Sequence, residues 1–184
     1  MNSRITLISL FDKSNLEKIN LYVNKISQTL CKVPFGKNVD DRIKVDTLPY
    51  HFTIFSWDIK REDEVIEFLN NITYNPFNVL VNKIEIVDGN EGSFELRFNI
   101  LKNEELYKLQ NYIVNKYSSK YYNPENFNFH ITIHIDKDYE KILDMKQNLL
   151  QDFVPFELRI DKIGLFEIYP AKLVKQIEAI SDVK

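Results

Sequence analysis

Phe127-Asn128-Phe129-His130-Ile131-Thr132-Ile133-His134-Ile135-Asp136 alternates strictly between apolar and polar side chains. Strand side chains point to opposite faces with period two, so the run reads as a β-strand with the two phenylalanines and three isoleucines on one face. Asn128, His130, Thr132, His134 and Asp136 share the other face. One face packs and the other is free to carry polar chemistry. An earlier stretch, His51-Phe52-Thr53-Ile54, repeats the His-x-Thr-x pattern inside another apolar, β-branched run. There Tyr50, Phe52, Ile54 and Ser56 share a face, opposite His51, Thr53, Phe55 and Trp57. In both strands the histidine and the threonine project the same way. Only three histidines occur in the chain, and two of them open this pattern.

Outward from these strands the same order of elements appears twice. Ile5 to Phe11 reads as a strand, and Ser14-Asn15-Leu16-Glu17 has the capping-box pattern for a helix whose apolar stripe is Leu16, Ile19, Val23, Ile26 and Leu30. The stretch from Lys32 to Tyr50 holds Pro34, Gly36 and Pro49 and reads as a surface loop. The first His-Thr strand follows, then a helix with Val65, Ile66, Phe68, Leu69 and Ile72 apolar, then extended chain over Phe77 to Val87. Glu91-Gly92 turns into a strand over Ser93 to Ile100, where the second cycle begins. Asn103 caps a helix carrying Leu106, Leu109, Ile113, Val114 and Tyr117. A loop with Pro124 leads to the second His-Thr strand, a helix over Tyr139 to Leu150, extended chain over Phe156 to Tyr169, and a last strand over Leu173 to Ile180. This duplication predicts one domain, residues 1–184, made of two similar halves with the changeover near 88–92. A twofold-like arrangement would set the two His-Thr strands symmetrically about one groove, as a reaction with separate acid and base requires.

Composition bounds the class. At 184 residues, 44% hydrophobic and 13% aromatic, the chain can bury a sizeable core. A net charge of −3 argues against a duplex-DNA-binding protein, whose affinity would come from clustered Lys and Arg. Cys31 is the single cysteine, so no internal disulfide forms and the secreted disulfide-scaffold class is excluded. It reads as a small buried apolar residue, with nothing nearby in sequence to activate a thiol. Neither a signal-peptide pattern nor an apolar run near the roughly 20 residues needed to span a bilayer is present, which leads to the expectation of a cytoplasmic protein without a membrane partner.

Two histidines and two threonines suit phosphodiester chemistry. An unperturbed pKa near 6.5 lets one imidazole be neutral and the other charged near neutral pH, so one accepts a proton while the other donates one. Each such transfer contributes about 10²–10⁴-fold. Threonine hydroxyls can donate to non-bridging oxygens as charge builds in the transition state. The duplicated His-x-Thr-x motif, at this chain length and element order, resembles the two-histidine phosphoesterases, which include the 2′-5′ RNA ligase-like proteins and the cyclic phosphodiesterases. The resemblance implies an α+β fold of two pseudo-twofold-related lobes, each a mainly antiparallel sheet with helices outside, and a metal-independent active-site groove between the sheets. It makes His51 and His130 the catalytic pair and Thr53 and Thr132 the phosphate binders, with no cofactor and no metal. The implied substrate is a 2′,3′-cyclic phosphate or a related 2′-5′ nucleotide or RNA-end phosphodiester. A non-catalytic nucleotide or RNA-end binding protein of the same fold is the alternative.

Many members resembling the RNA ligase group carry an arginine shortly after the second motif. Here His130-Ile131-Thr132-Ile133-His134-Ile135 has none, and the nearest basic residue is Lys137. His134, on the same face as His130 by alternation, is a candidate to take over part of the anion contact. Phe55 and Trp57, on the face of His51 and Thr53 by the same rule, are candidates to stack on a base, although core packing is the plainer reading for each. His130 and His134 have the spacing of a helical zinc-protease motif but lack its glutamate, and on a strand they lie roughly 13 Å apart, too far to share one ion. Tyr117, Tyr121, Tyr122, Phe127 and Phe129 read mainly as core and loop anchors. Arg42 and Lys44, in the loop before the first motif, could reach a phosphate, although solvated charge is the plainer reading.

Overall fold

The computed structural model describes residues 4–30, 50–117, 127–168 and 171–180. Along the chain lie β1 (Arg4–Leu10), α1 (Lys13–Leu30), β2 (Thr53–Asp58), α2 (Glu62–Asn70), β3 (Phe77–Asp88) and β4 (Phe94–Leu101). They are followed by α3 (Glu104–Val114), β5 (His130–Asp136), α4 (Tyr139–Leu150), β6 (Phe156–Ile160), β7 (Lys162–Ile168) and β8 (Ala171–Glu178). Cys31, the loop over 32–49 with Arg42 and Lys44, and the segment with Tyr121, Tyr122 and Pro124 lie outside the described residues.

The eight strands form two four-stranded sheets, ordered β2-β1-β7-β8 and β5-β4-β3-β6, with every pairing antiparallel. The expected α+β class of two mainly antiparallel sheets with outer helices is met. The routing between them is different. The chain leaves the first sheet after β2, enters the second at β3, and returns at β7. The stretch near 88–92, expected as the changeover, is the hairpin joining β3 to β4 inside the second sheet. Glu91 (φ 56°) and Gly92 (φ 74°) take the left-handed backbone of a tight reversal there. A turn signal marks a change of direction, which need not be a change of sheet.

The helices are exchanged as well. α1 follows β1 of the first sheet yet packs against α4 and the second sheet: Tyr22 lies 5.8 Å from Phe98 and stacks at 5.3 Å on Phe156. Asn15, 2% exposed, donates to the Arg159 carbonyl at 2.6 Å and accepts from the Arg159 amide at 3.0 Å. α3, from the second half, packs in turn beside α2 on β2, where Tyr117 meets both Trp57 (5.9 Å) and Phe68 (5.1 Å). Each sheet is therefore covered by one helix from each half. Helix ends follow the sequence signals with one change. Asn103 and Asp138 accept from Leu106 and Lys141 to cap α3 and α4, whereas α1 is capped by Asp12, which accepts from Asn15 at 2.8 Å, and Ser14 lies inside the helix. No helix among the described residues is long and apolar enough to cross a membrane.

Candidate functional site

The two motif strands carry the same irregularity at the same place. Thr53 pairs with Ile8 and Phe55 with Leu7, so Ile54 is an extra residue; Thr132 pairs with Arg97 and His134 with Leu96, so Ile133 is extra. Such a β-bulge sets two residues against one and interrupts alternation. It falls on the fourth position of both His-x-Thr-x motifs. The residues up to the threonine keep the face that alternation assigns them, and those beyond the bulge turn over.

Two expectations are corrected by this. Phe55 shares its face with Leu7 and Trp57 rather than with Thr53; it is fully buried, its ring 4.7 Å from that of Trp57. It is a core residue. His134 sits opposite Leu96, on the face where Phe98 meets α1, and not beside His130 and Thr132. Its Nε2 lies 3.6 Å from the Asp136 carboxylate, which also binds Lys141 of α4 at 2.6 Å. Burial foremost, and then the Lys141 charge, lower the His134 pKa below 6.5, with Asp136 opposing. Burial alone would raise Asp136, but hydrogen bonds from Lys141 and the Asp138 amide bring it below the ordinary aspartate value. These three residues form a polar knot between sheet and helix.

The motifs themselves are brought together. Phe52, next to His51, and Phe129, next to His130, are buried and meet edge to face with centroids 5.8 Å apart. Phe11 flanks Phe52 at 6.3 Å and Phe127 flanks Phe129 at 5.0 Å, so an aromatic seam joins the two sheets beneath the motifs. Both backbones are pinned beside it. The Phe52 carbonyl accepts from the Ser9 amide (3.0 Å) and its amide donates to Ser9 Oγ (2.9 Å), while the Phe129 carbonyl accepts from Ile100 (2.8 Å). His51, Thr53, His130 and Thr132 are all partly exposed on either side of the seam.

His130 has a defined hydrogen-bonding state. Nδ1 lies 2.8 Å from the Asn128 carbonyl, which can only accept, so Nδ1 carries the proton and the lone pair of the neutral ring is on Nε2. Burial is the largest influence on its pKa and lowers it; the Arg97 charge acts in the same direction, against the Asn128 carbonyl, Glu95 and Glu85. Burial and the Arg97 charge thus favour the neutral ring.

The face that carries His130 and Thr132 holds a group of residues that the motif reading overlooked. Asn99 is the cross-strand partner of His130, Arg97 of Thr132, and Lys83 and Glu85 continue the same rows onto β3. Glu85 gathers them: Oε1 accepts from Arg97 Nε (3.0 Å) and Asn99 Nδ2 (3.3 Å), with Arg97 Nη2 at 2.9 Å, and Oε2 lies 2.8 Å from Lys83. Burial would raise Glu85, but Lys83 and Arg97 outweigh it and hold its carboxyl below the usual range. The signal was available in Glu95, Arg97 and Asn99, which alternate with Phe94, Leu96, Phe98 and Ile100 about the Glu91-Gly92 turn. In the first sheet the immediate neighbours of Thr53 are uncharged: Thr53 faces Ile8, and Thr6 and Ser56 share a hydroxyl hydrogen bond at 3.0 Å, while the Lys162–Glu178 ion pair lies farther along the same face. Among the described residues no group of three or more His, Cys, Asp or Glu is placed to hold a metal ion.

Comparison with known proteins agrees with the fold. A family model described as LigT like Phosphoesterase matches residues 100–172, which include β5 and its His-x-Thr-x motif. Escherichia coli LigT in its apo form is similar over 98% of this chain and 99% of its own, at 11% identity and a TM-score of 0.60. TT0787 of Thermus thermophilus is similar over 97% and 99%, at 13% identity and a TM-score of 0.62. Kluyveromyces marxianus Usb1 is similar over 94% and 98%, at 12% identity and a TM-score of 0.51. No curated protein sequence matches the chain. The family model and all three structures belong to the two-histidine phosphoesterase superfamily, as the motifs led one to expect.

Proposed function

From the LigT-like phosphoesterase fold that this chain shares, we propose that it is a metal-independent phosphoesterase in which His51 and His130 act as a general acid and base on a 2′,3′-cyclic phosphate or a related 2′-5′ nucleotide or RNA-end phosphodiester. The observation that carries this reading is the contact between Phe52 and Phe129, which ties the two histidine motifs to one junction between the sheets. Escherichia coli LigT has been crystallised with 3′-AMP and with ATP, which favours a nucleotide here.

The roles follow from the state of His130. Its Nε2 lone pair takes a proton from water, the water oxygen bonds to phosphorus, and the bond from phosphorus to the departing ribose oxygen breaks. His51 gives that oxygen its proton, so the ring opens to a monophosphate and the two histidines exchange protonation states. Thr53 and Thr132 donate hydrogen bonds to the non-bridging oxygens. In the ligation direction the acid and base exchange roles.

Chelator-treated protein should open nucleoside 2′,3′-cyclic phosphates or cleave 2′-5′ dinucleotides, and His51→Ala and His130→Ala should each lower kcat by at least about a hundredfold. Ordinary turnover in both variants would refute the pairing. Binding of these compounds by the wild-type protein without product would replace catalysis by end recognition.

A further inference from the structure

The two halves share their bulges but differ in charge, and the difference falls beside the reacting group. The residue opposite Thr53 is Ile8, fully buried, whereas the residue opposite Thr132 is Arg97. Cross-strand partners have Cβ atoms roughly 5 Å apart, so Arg97 and Thr132 stand side by side on one face, with the guanidinium turned toward Glu85 on the neighbouring strand β3. Arg97 is held in place, its side chain 13% exposed, by one edge on Glu85 Oε1. Nη1 has no acceptor among the described residues. Glu85 is shared with Lys83, so two cations face that carboxylate, and Glu95 lies two residues from Arg97 along the same face of β4. An arginine fixed by a carboxylate on one edge and open on the other is arranged to take a phosphate oxygen.

We propose that Arg97, aligned by Glu85, binds a non-bridging oxygen of the substrate phosphate alongside Thr132 and so fixes which way round the phosphodiester lies. The charged oxygens settle over the second sheet, and the nucleoside-bearing side lies toward the uncharged Ile8, Thr6 and Ser56 beside Thr53. This inference rests on the phosphoesterase reading.

The test titrates inorganic phosphate and 3′-AMP into the full-length wild-type protein, Arg97→Gln, Arg97→Lys and, as a charge-removal control on the far face, Lys25→Gln. Arg97→Gln should bind both probes at least about tenfold more weakly, with Lys25→Gln unchanged. In turnover the loss should fall chiefly on KM. The His130 ring, followed by NMR, should titrate at higher pH in Arg97→Gln and stay near wild type in Arg97→Lys, which keeps the charge. Wild-type affinity for both probes in a folded Arg97→Gln overturns the proposal. Should that variant unfold, Arg97→Lys decides: weakening of at least threefold supports the forked contact, and wild-type affinity ends it. Absence of turnover in the wild-type protein would count against the phosphoesterase reading alone, because the phosphate titration still reports on Arg97.

Discussion

Phe55 and His134 occupy their positions through packing, and that determines what their replacement does. Phe55→Ala empties a site with no exposed surface against Trp57 and Leu7, and should cost about 3–5 kcal/mol in denaturant unfolding while leaving KM for a cyclic phosphate near wild type. A raised KM with unchanged stability would put the ring back at the substrate. For His134 the expected effect is on pH dependence. Its folded pKa lies below 6.5, so as pH falls below that value the unfolded chain takes up a proton that the folded chain resists. The neutral ring's contribution is fully present above 6.5 and is lost as pH falls toward the folded pKa. His134→Leu should flatten part of the acid-side fall in Tm, the remainder belonging to His130 and, at lower pH, to the carboxylates of Asp136 and Glu85, whose pKa values are lowered too. An identical Tm profile would show that His134 does not titrate in this way. At this scale the two His-x-Thr pairs were legible because their types and offset lie in contiguous sequence. The Arg97 group was legible only in part: its alternation is plain, but its place opposite Thr132 depends on a strand pairing between distant segments.

The bulges at Ile54 and Ile133 separate the reading of the strands from their structure. Alternation puts Phe55 and His134 on the site face, and each lies just past an inserted residue that reverses it. Nothing in the sequence announces this, because isoleucine suits a regular strand and a bulge requires no special side chain. What decides is packing. With Ile54 extra, Phe55 and Trp57 join Ile5 and Leu7 in the core; with Ile133 extra, His134 reaches Asp136 and Lys141 at α4. Removing the extra residue restores alternation and forces one side of the motif onto the wrong face. Deletion of Ile133 should lower both Tm and cyclic-phosphate turnover, the latter by at least about a hundredfold, since either Thr132 or the residues beyond it must reverse. Turnover at the wild-type rate would mean that the bulge does not aim the motif.

Across the whole molecule the repeat is real in its elements and interlaced in its wiring. The order strand, helix, strand, helix, strand is readable twice from hydrophobic periodicity, but periodicity does not say which sheet a strand joins. β3 therefore reads as the end of the first half although it pairs with β4 and β6, and β7 reads as part of the second although it pairs with β1. Long-range bonds close the arrangement, with Asn15 of α1 bound to the backbone of Arg159 on β6 and Tyr117 after α3 donating to the Glu64 carbonyl on α2. A cut at residue 90, where the repeat suggests a boundary, strands β1 without β7 and β3 without both of its neighbours. Each fragment would expose strand edges and an apolar helix face that only the other half covers. Fragments 1–90 and 91–184, made separately, should lack dispersed amide NMR spectra and recover them only when mixed. The intact chain should unfold in one transition by near- and far-ultraviolet circular dichroism, and Asn15→Ala should lower its midpoint, at a cost of about 1–3 kcal/mol, without splitting it. A folded 1–90 fragment, or two separate transitions, would show that the halves are independent and that the exchange of strands and helices does not hold the sheets together.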